Sequence, residues 1–527
     1  MKIEEIQEVP ETKRAEVPLS TKVIRNAVFG GLRYLLVAPI PFVMTPLILR
    51  KVGTGGYGTW AVFLAVNGLT SLADLGLVGT LSKFVAEYYA QHDIKAVARV
   101  LNSGLAVFLV LAVMIGAGLW VATPLMANWL FRGSVVTRQE VVVLFRLFSI
   151  VVVTNILNLM FASVTTGLQR LDITNVISAG SLFLSALFSA ILLLQGQGLR
   201  GLVFGYIASA ILTVGAYLVT IAKLLPEVSM NPLRFDKHEA GKMFSFSFRL
   251  YLTQAAVVVN NQIEKIFLAL LVGVAAAGWY DIASDVATKI RGALGFVLSP
   301  VLPAASELNA LGDEDRIQEL YFRTHKYLAL IGVPAVCFVA AISGRFVELW
   351  IGPAMKMVAL PLAVLVVVSL INLATGPGFL IFAGRAHLKP GVDAAIVGIV
   401  SNIVISFALI YASGFSGAVL GTAASLILAA CYFIVVFHRQ TGYSFIRLIR
   451  EAFIKPILCA GVAIATVLLV IPAAVVSWSG LLATCVIFGV LYSSLILLSG
   501  FFDSYDWSKI ETFVPGVRHV RRLVRYA

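Results

Sequence analysis

Residues 358–382 read VALPLAVLVVVSLINLATGPGFLIF and contain no charged side chain. A helix needs about 20 such residues to cross the hydrocarbon core of a bilayer. The whole 527-residue chain has a similar character, because 59% of its residues are hydrophobic and only 13% are charged. Globular chains are nearer half apolar and a quarter charged, so this composition excludes a cytosolic enzyme, a disordered scaffold and a disulfide-built secreted domain. We predict an all-α polytopic membrane protein.

Charged residues, prolines and glycines divide the chain into about fourteen apolar segments long enough to span a membrane. They are 23–48, 57–79, 100–123, 141–165, 175–196, 200–222, 247–273, 278–300, 327–347, 358–382, 390–412, 416–437, 454–476 and 479–501. A cytoplasmic tail is predicted at 1–22, a cytoplasmic linker at 223–246 and a basic cytoplasmic tail at 502–527.

The basic residues orient these segments. Most of the 40 Lys and Arg residues fall in the tails and in the loops on the same side as the N-terminus. The positive-inside rule therefore predicts a multi-pass protein of the plasma (inner) membrane with both termini in the cytoplasm. The net charge of +13 is mostly this orienting charge, so we do not expect nucleic acid as a partner.

The chain also aligns with itself at a nearly constant offset. A first offset pairs glycine with glycine and acid with acid, as in Gly53 with Gly273 and Asp93 with Asp313. A slightly smaller second offset then takes over, and it pairs Asn155 with Asn372, Gly167 with Gly384, Gly201 with Gly417 and Gly205 with Gly421. An offset that stays so nearly fixed over a long stretch indicates an internal repeat.

The repeat predicts two six-helix lobes, 23–222 and 247–437, followed by two additional helices in 454–501. Six helices are an even number, so both lobes enter the membrane in the same direction. Parallel repeats of this kind suit a transporter that works by alternating access. The amphipathic segments 82–100 and 303–326 hold equivalent places in the two lobes, and we predict that each lies along the membrane interface.

Ionisable residues at membrane depth are costly and usually face a cavity or a partner. They are concentrated here in the first two helices of each lobe. The predicted substrate-binding residues are Arg33, Arg249, Lys289, Arg291, Asn260 and Asn261, and the predicted coupling or cavity residues are Asp74, Glu264, Asp281 and Asp285. At 100° per residue, Asp281, Asp285 and Arg291 share one polar face of a helix.

A purely structural interpretation of the same residues stays open. Asp285 and Lys289 stand four residues apart and can neutralise one another, and Asp281 can pair with Lys265 across a short loop. The run 260–262, Asn-Asn-Gln, can make interhelical hydrogen bonds in place of sugar contacts.

The sequence predicts no metal and no tightly bound cofactor. It contains no CxxC pair and no GxxxxGK[ST] phosphate-binding loop, so ATP hydrolysis is excluded. None of the six histidines falls at membrane depth. If H⁺ or Na⁺ drives transport, a buried carboxylate carries it.

Three short motifs resemble the Wzx-type polysaccharide flippases of the multidrug/oligosaccharidyl-lipid/polysaccharide exporter superfamily. They are PLILRKVG at 46–53, Tyr57-Gly58, and LADLGL at 72–77. Asp74, Gly76, Lys83 and Glu87 fill the places of that family's asp-leu-gly pattern and the basic and acidic residues after it, although Lys83 stands where the family often has Arg. The plan of six, six and two helices is also similar.

The resemblance implies a non-enzymatic flippase that moves an undecaprenyl-diphosphate-linked oligosaccharide from the inner to the outer leaflet. It also implies a central cationic cavity, coupling to an ion gradient, and partners among membrane lipids and other polysaccharide-assembly proteins. O-antigen units and other surface glycans share the same lipid carrier. Two alternatives remain: a cation-coupled multidrug exporter, in which Asp281 and Asp285 bind the drug, and a membrane glycan polymerase or ligase, which the short outer loops disfavour.

Overall fold

The structure is a computed structural model, and it describes residues 37–74, 76–131, 136–470 and 477–513. Within these ranges the regular secondary structure is entirely helical. This confirms the predicted all-α class.

The first repeat contains α1 (Pro39–Thr70), α2 (Leu77–Ala90), α3 (Ile94–Leu130), α4 (Arg138–Gly167), α5 (Leu171–Leu194) and α6 (Gly198–Leu224). Two predicted spans meet in α1, which kinks at Gly53, where φ is 71°. The second of them was predicted to reach residue 79 but ends at Thr70. A 3-10 turn at Ser71–Asp74 follows, and Gly76, with a left-handed φ of 78°, then begins α2. Glycine adopts that conformation without steric cost.

The second repeat contains α7 (Lys237–Leu271), α8 (Val274–Gly295), α9 (Val301–Leu311), α10 (Glu314–Ile351), α11 (Ala359–Leu373), α12 (Gly376–Gly384), α13 (Lys389–Ser401), α14 (Phe407–Ser413) and α15 (Phe415–Thr441). A π-helical turn at Asn402–Ser406 joins α13 to α14. Such turns bulge a helix locally and are frequent at functional sites.

The last elements are α16 (Phe445–Leu448), α17 (Ile454–Val470), α18 (Trp478–Leu498) and α19 (Ser504–Phe513). Helices α17 and α18 pack against each other and against α10. Their shared core includes Val333 and Phe338 of α10 with Phe488 and Tyr492 of α18. The two additional helices are therefore attached to the second repeat.

Eleven helical segments in the described ranges are long and apolar enough to cross a membrane. The remaining predicted spans correspond to α1, with its kink at Gly53, and to the more polar α7. The chain is a polytopic membrane protein.

The backbone repeats itself as the sequence does. Left-handed residues recur at the offsets found in the sequence, pairing Gly53 with Gly273, His92 with Gly312, Gln169 with Ala386 and Gly198 with Gly414. The helix caps recur as well, because Asp93 accepts a hydrogen bond from the Ala96 amide at 2.8 Å and Asp313 accepts one from the Arg316 amide at 3.1 Å. Both repeats place the same breaks and caps at the same points.

The segments 82–100 and 303–326, predicted to lie along the interface, each consist of two helices, because the left-handed residue at His92 or Gly312 interrupts the segment. The first part ends α2 or α9, and the second part begins the long helix α3 or α10.

Several helix pairs join the two repeats: α1 packs against α8, α7 and α10, and both α2 and α3 pack against α7. The closest approach is between α1 and α8. A Cβ atom added to Gly58 would lie 2.0 Å from the Val274 carbonyl oxygen, and one added to Gly278 would lie 2.9 Å from the Gly58 Cα. Only glycine allows the two backbones to come this close.

Candidate functional site

A cavity of about 430 Å³ lies within the second repeat. Its polar lining residues come from α7, α8, α11 and α15 and from the turn before α12. They are Gln262, Lys265, Tyr280, Asp281, Ser284, Asp285, Thr288, Arg291, Ser369, Asn372, Thr375 and Thr422. We call this space the charged cavity.

One face of α8 supplies most of the charge. Asp281, Asp285, Thr288 and Arg291 follow one another at intervals of three or four residues, so their side chains project from the same side of the helix. This is the polar face that the sequence predicts.

Asp281 is the centre of a buried polar cluster. Its Oδ1 pairs with the Lys265 ammonium at 2.6 Å, and its Oδ2 accepts a hydrogen bond from the Tyr57 hydroxyl at 2.9 Å. Lys265 and Asp281 are each only 8% exposed. A buried pair of this kind is stable only while both partners remain, because removal of one leaves an uncompensated charge. The cluster also links α1 of the first repeat to α7 and α8 of the second.

The charged groups at the cavity wall are not all paired. Lys289 forms an ion pair with Asp285 one turn away on α8, and Lys265 neutralises Asp281. Arg291 is partly buried at the cavity wall, and no acidic side chain in the described ranges forms an ion pair with it. Arg291 is therefore the cation of the described wall that no carboxylate neutralises.

Behind this wall lies Glu264, which is fully buried. Its Oε1 accepts hydrogen bonds from Asn402 Nδ2 at 2.6 Å and from the Thr422 hydroxyl at 2.9 Å, and Thr422 in turn lies 2.7 Å from the Tyr280 hydroxyl. Glu264 Oε2 and Asn402 Oδ1 are buried and receive no hydrogen bond from the described residues. Two such oxygens are suited to a proton or a hard cation.

The first repeat contains a second cavity, of about 470 Å³. Its polar lining consists of hydroxyl and amide groups from Asn67, Thr70, Ser71, Asn155, Asn158, Ser178, Ser181, Ser185, Tyr206, Ser209, Thr213 and Tyr217. No Asp, Glu, Lys or Arg in the described part of the chain contributes to its wall. We call this space the neutral cavity.

The two cavities are neighbours. Gly68 lines the neutral cavity and Gln262 lines the charged cavity. A Cβ atom on Gly68 would lie 2.7 Å from Gln262 Nε2, so the amide of Gln262 rests directly on the Gly68 backbone. One helix contact separates the two spaces.

Comparison with known proteins assigns the family. The family described as "Polysaccharide biosynthesis protein" matches residues 23–309, which is more than half of the chain. The chain belongs to this family. This confirms the resemblance to the polysaccharide flippases that the motifs between residues 46 and 87 indicated.

Two named bacterial proteins are similar to this family member. A putative O-antigen transporter of Shigella flexneri is 21% identical over 334 residues, which covers 63% of this chain and 77% of that protein. The lipid II flippase MurJ of Bacillus subtilis is 21% identical over 453 residues, covering 78% of this chain and 80% of that protein.

The solved structures show the same fold. A structure of the lipid II flippase MurJ in an inward closed conformation matches with a TM-score of 0.71 and 14% identity, over 90% of this chain and 98% of that one. An inward-facing multidrug resistance transporter of the MATE family matches with a TM-score of 0.61 and 15% identity, over 77% and 95%. This polysaccharide biosynthesis protein thus has the fold of these two transporters.

Only some of the site residues predicted from the sequence lie at the charged cavity. Arg291, Asp281 and Asp285 line the charged cavity, Lys289 lies beside it in a pair with Asp285, and Glu264 lies behind its wall. Arg33 lies outside the described residues, and so do the side chains of Asp74, Arg249, Asn260 and Asn261. The two ion pairs left open by the sequence, Lys265 with Asp281 and Lys289 with Asp285, are both formed.

Sequence reasoning missed the partners of Glu264. Asn402 is fully buried in a mostly apolar helical segment, and Thr422 is 5% exposed. A single asparagine at membrane depth could have drawn attention, because polar side chains there need a partner. The threonine gives no such signal, because a helical threonine hydroxyl can donate to the carbonyl four residues before it, and the Ala418 carbonyl lies 2.9 Å from the Thr422 hydroxyl.

Proposed function

We propose that this protein moves an undecaprenyl-diphosphate-linked oligosaccharide from the inner to the outer leaflet of the plasma membrane by alternating access. The observation that carries the proposal is the unpaired Arg291 at the wall of a membrane-embedded cavity. A guanidinium in a site of low dielectric attracts an anion, and its planar fork matches the oxygens of a diphosphate. The family and the names of the similar proteins support the same class of substrate.

The same geometry disfavours export of cationic drugs. Asp281 and Asp285, the acids that would bind a cation, each already pair with a lysine. A cationic drug would have to displace an ammonium group and would meet the unpaired guanidinium of Arg291. The proposed activity is transport without covalent chemistry, in a protein with both termini in the cytoplasm.

The test measures leaflet translocation in proteoliposomes that contain lipid-linked oligosaccharide extracted from the cells that make the protein. Translocation is detected as cleavage of the glycan by a glycosidase added outside. Arg291→Ala should slow exposure of the glycan about tenfold or more, because a charge-assisted bond to phosphate contributes about 1.5–3 kcal/mol. Arg345→Ala is the matched control, since Arg345 lies on α10 with a side chain that is 58% exposed and pairs with Glu348.

Normal transport by Arg291→Ala would refute the diphosphate site. Protein-dependent uptake of ethidium, with no exposure of the glycan by the wild type, would replace the flippase by the multidrug exporter. Elongation of the glycan during the assay would indicate a polymerase or ligase.

We further propose that Glu264 couples transport to a Na⁺ or H⁺ gradient. Glu264 Oε2 and Asn402 Oδ1 offer two buried acceptors beside the Thr422 hydroxyl, and oxygen ligands are those that hard cations prefer. Glu264→Gln keeps the size of the side chain and the oxygen that accepts from Asn402, but it removes the charge. We expect it to fold normally and to transport at a rate that no longer responds to an imposed gradient.

Glu307→Gln, an exposed substitution on α9, is the control for Glu264→Gln. Rates are compared with a Na⁺ gradient, with a pH gradient and with neither. A Glu264→Gln protein that still accelerates with either gradient would exclude this carboxylate from coupling.

A further inference from the structure

The neutral cavity is unusually polar for a space between membrane-spanning helices. Its wall includes Asn67, Asn155 and Asn158 together with five serine and two threonine residues. Polar side chains at this depth are costly unless they bond to one another or to a ligand.

Mutual hydrogen bonds explain part of this polarity. Asn155 Nδ2 donates to Asn67 Oδ1 at 3.2 Å, the Thr213 hydroxyl donates to the Ser181 hydroxyl at 2.8 Å, and the Ser209 hydroxyl donates to the Ser181 carbonyl at 2.6 Å. These contacts hold α1 to α4 and α5 to α6. They leave acceptor capacity, because each hydroxyl oxygen has two lone pairs.

Two polar groups on the wall, those of Asn158 and Ser178, remain available. Asn158 Nδ2 donates to the Ala210 carbonyl at 3.3 Å, but its Oδ1 is buried and receives no hydrogen bond from the described residues. Ser178 lines the cavity and makes no hydrogen bond within the described ranges. The rings of Tyr206 and Tyr217 also line the cavity.

The internal repeat shows that the two cavities have diverged in charge. The repeat offset that pairs Gly53 with Gly273 also aligns Ser71 of the neutral cavity with Arg291 of the charged cavity, and Gly68 with Thr288. It places Ala61 and Ala65 opposite Asp281 and Asp285. One half of the molecule has ionic groups where the other half has neutral ones.

We propose that the neutral cavity binds the sugar units of the lipid-linked substrate while the charged cavity binds its diphosphate. Sugar hydroxyls both donate and accept hydrogen bonds and carry no charge, as do the serine, threonine and asparagine groups of this wall. The volume of about 470 Å³ lies within the range of small-molecule sites. A charged ligand would find no ion partner in the described lining.

The contact of Gly68 with Gln262 makes a shared ligand possible. Since this one contact separates the cavities, a diphosphate near Arg291 and the first sugars attached to it can occupy both spaces at once. The proposal rests on the proposed function, because it assigns two parts of the same substrate to the two repeats.

The test measures binding of two ligands to the full-length protein in lipid nanodiscs by native mass spectrometry. One ligand is undecaprenyl diphosphate without sugar, and the other is the lipid-linked oligosaccharide extracted from the cells that make the protein. The readout is the ratio of the two dissociation constants. We expect the wild type to bind the glycosylated lipid about tenfold more tightly, from one or two additional hydrogen bonds.

Two variants change the neutral cavity in different ways. Asn155→Leu removes an amide from its wall, and Ser178→Leu fills space without removing a hydrogen bond to the described residues. Both should bring the ratio close to one and leave the affinity for undecaprenyl diphosphate unchanged. Asn372→Leu, at the repeat position equivalent to Asn155, changes the charged cavity instead and should leave the ratio within about twofold of the wild type.

The outcomes separate this inference from the proposed function. A wild-type ratio of one, or a tenfold ratio that survives in both variants, overturns the sugar site while the flippase proposal stands. Val176→Leu is the control for Ser178→Leu, because it adds bulk at an exposed position of the same helix, α5. A ratio that falls in Ser178→Leu but not in Val176→Leu reflects loss of the ligand and not loss of folding. A wild type that binds neither lipid overturns both proposals.

Discussion

At the scale of single residues, the contacts that matter most connect distant parts of the sequence. Tyr57 and Asp281 are 224 residues apart, yet the tyrosine hydroxyl donates to the carboxylate at 2.9 Å. Lys265 completes the cluster. Because α1 belongs to one repeat and α8 to the other, this hydrogen bond holds the two repeats together on the side of the molecule where Gly53 and Gly273 lie.

Tyr57→Phe should therefore favour separation of α1 from α8 on this side. A hydrogen bond to a charged group is worth about 1.5–3 kcal/mol, so its loss should raise the open population about tenfold. Spin labels on the exposed residues Thr54 and Val272 report the distance by double electron–electron resonance. Tyr89→Phe, at a half-exposed position on α2, is the control, and an unchanged distance distribution in Tyr57→Phe would exclude a role in closure.

At the scale of helices, the contact of α1 with α8 depends on two glycines. Gly58 lies against the Val274 carbonyl, and Gly278 lies against Gly58 itself. Gly58 and Gly278 occupy equivalent positions in the two repeats, so the close contact is made by the same position of each repeat. Backbones this close leave no space for a side chain, and a rigid pair of helices can separate or meet as units.

Gly58→Val should force α1 and α8 apart. Overpacking of a tight contact costs about 1–3 kcal/mol, so for a chain of this length we expect a melting temperature about 1–3 °C below that of the wild type. The control is Gly118→Val on α3, where an added Cβ meets no atom within 4 Å. Equal melting temperatures for the two variants would show that the α1–α8 contact yields easily, which would contradict a tightly packed closure.

At the scale of the whole molecule, the two additional helices are tied back to the second repeat by a polar cluster at their end. Asp506, which is 3% exposed, accepts a hydrogen bond from Tyr327 at 2.7 Å and pairs with Lys326 and Arg323 of α10. Asp503 and Asp506 also cap α19 reciprocally through their backbone amides, at 2.9 and 3.0 Å. Contacts between residues far apart in the sequence thus join α19 to α10.

This attachment should depend on pH. Partial burial raises the pKa of Asp503, but the Asp506 amide, Lys326 and Arg323 together outweigh it, and the net pKa is below the ordinary value. A group whose pKa is lowered on folding contributes stability above its unfolded pKa, about 3.9 for Asp, and loses it as the pH falls through the folded value. The contribution should be constant near neutral pH and fade below about pH 4.

Asp503→Asn isolates this charge, because it keeps an oxygen that can cap α19. With an exposed pair worth about 0–1 kcal/mol, the wild type should melt about 1 °C above the variant at pH 7, and the difference should vanish near pH 3. Melting is followed in detergent by differential scanning fluorimetry. A difference that persists at pH 3 would assign the stabilisation to hydrogen bonding and not to charge.

The sequence by itself determined the class of protein, the positions of the membrane helices, the repeat and the polar face of α8. These follow from composition and from periodicity along one chain, where neighbours three or four residues apart must share a side of a helix. The pairing of Asp285 with Lys289 was predictable for the same reason.

Only the tertiary structure decided how the charges are shared. Glu264 meets Asn402 and Thr422 from 138 and 158 residues away. Lys265 pairs with Asp281 and Lys289 with Asp285, so neither acid is left to pair with Arg291. The neutral cavity was likewise invisible in the sequence. Its serine, threonine and asparagine residues are individually common, and they become a polar surface only when packing brings several helices together, because contacts between helices depend on their placement and not on periodicity within one of them.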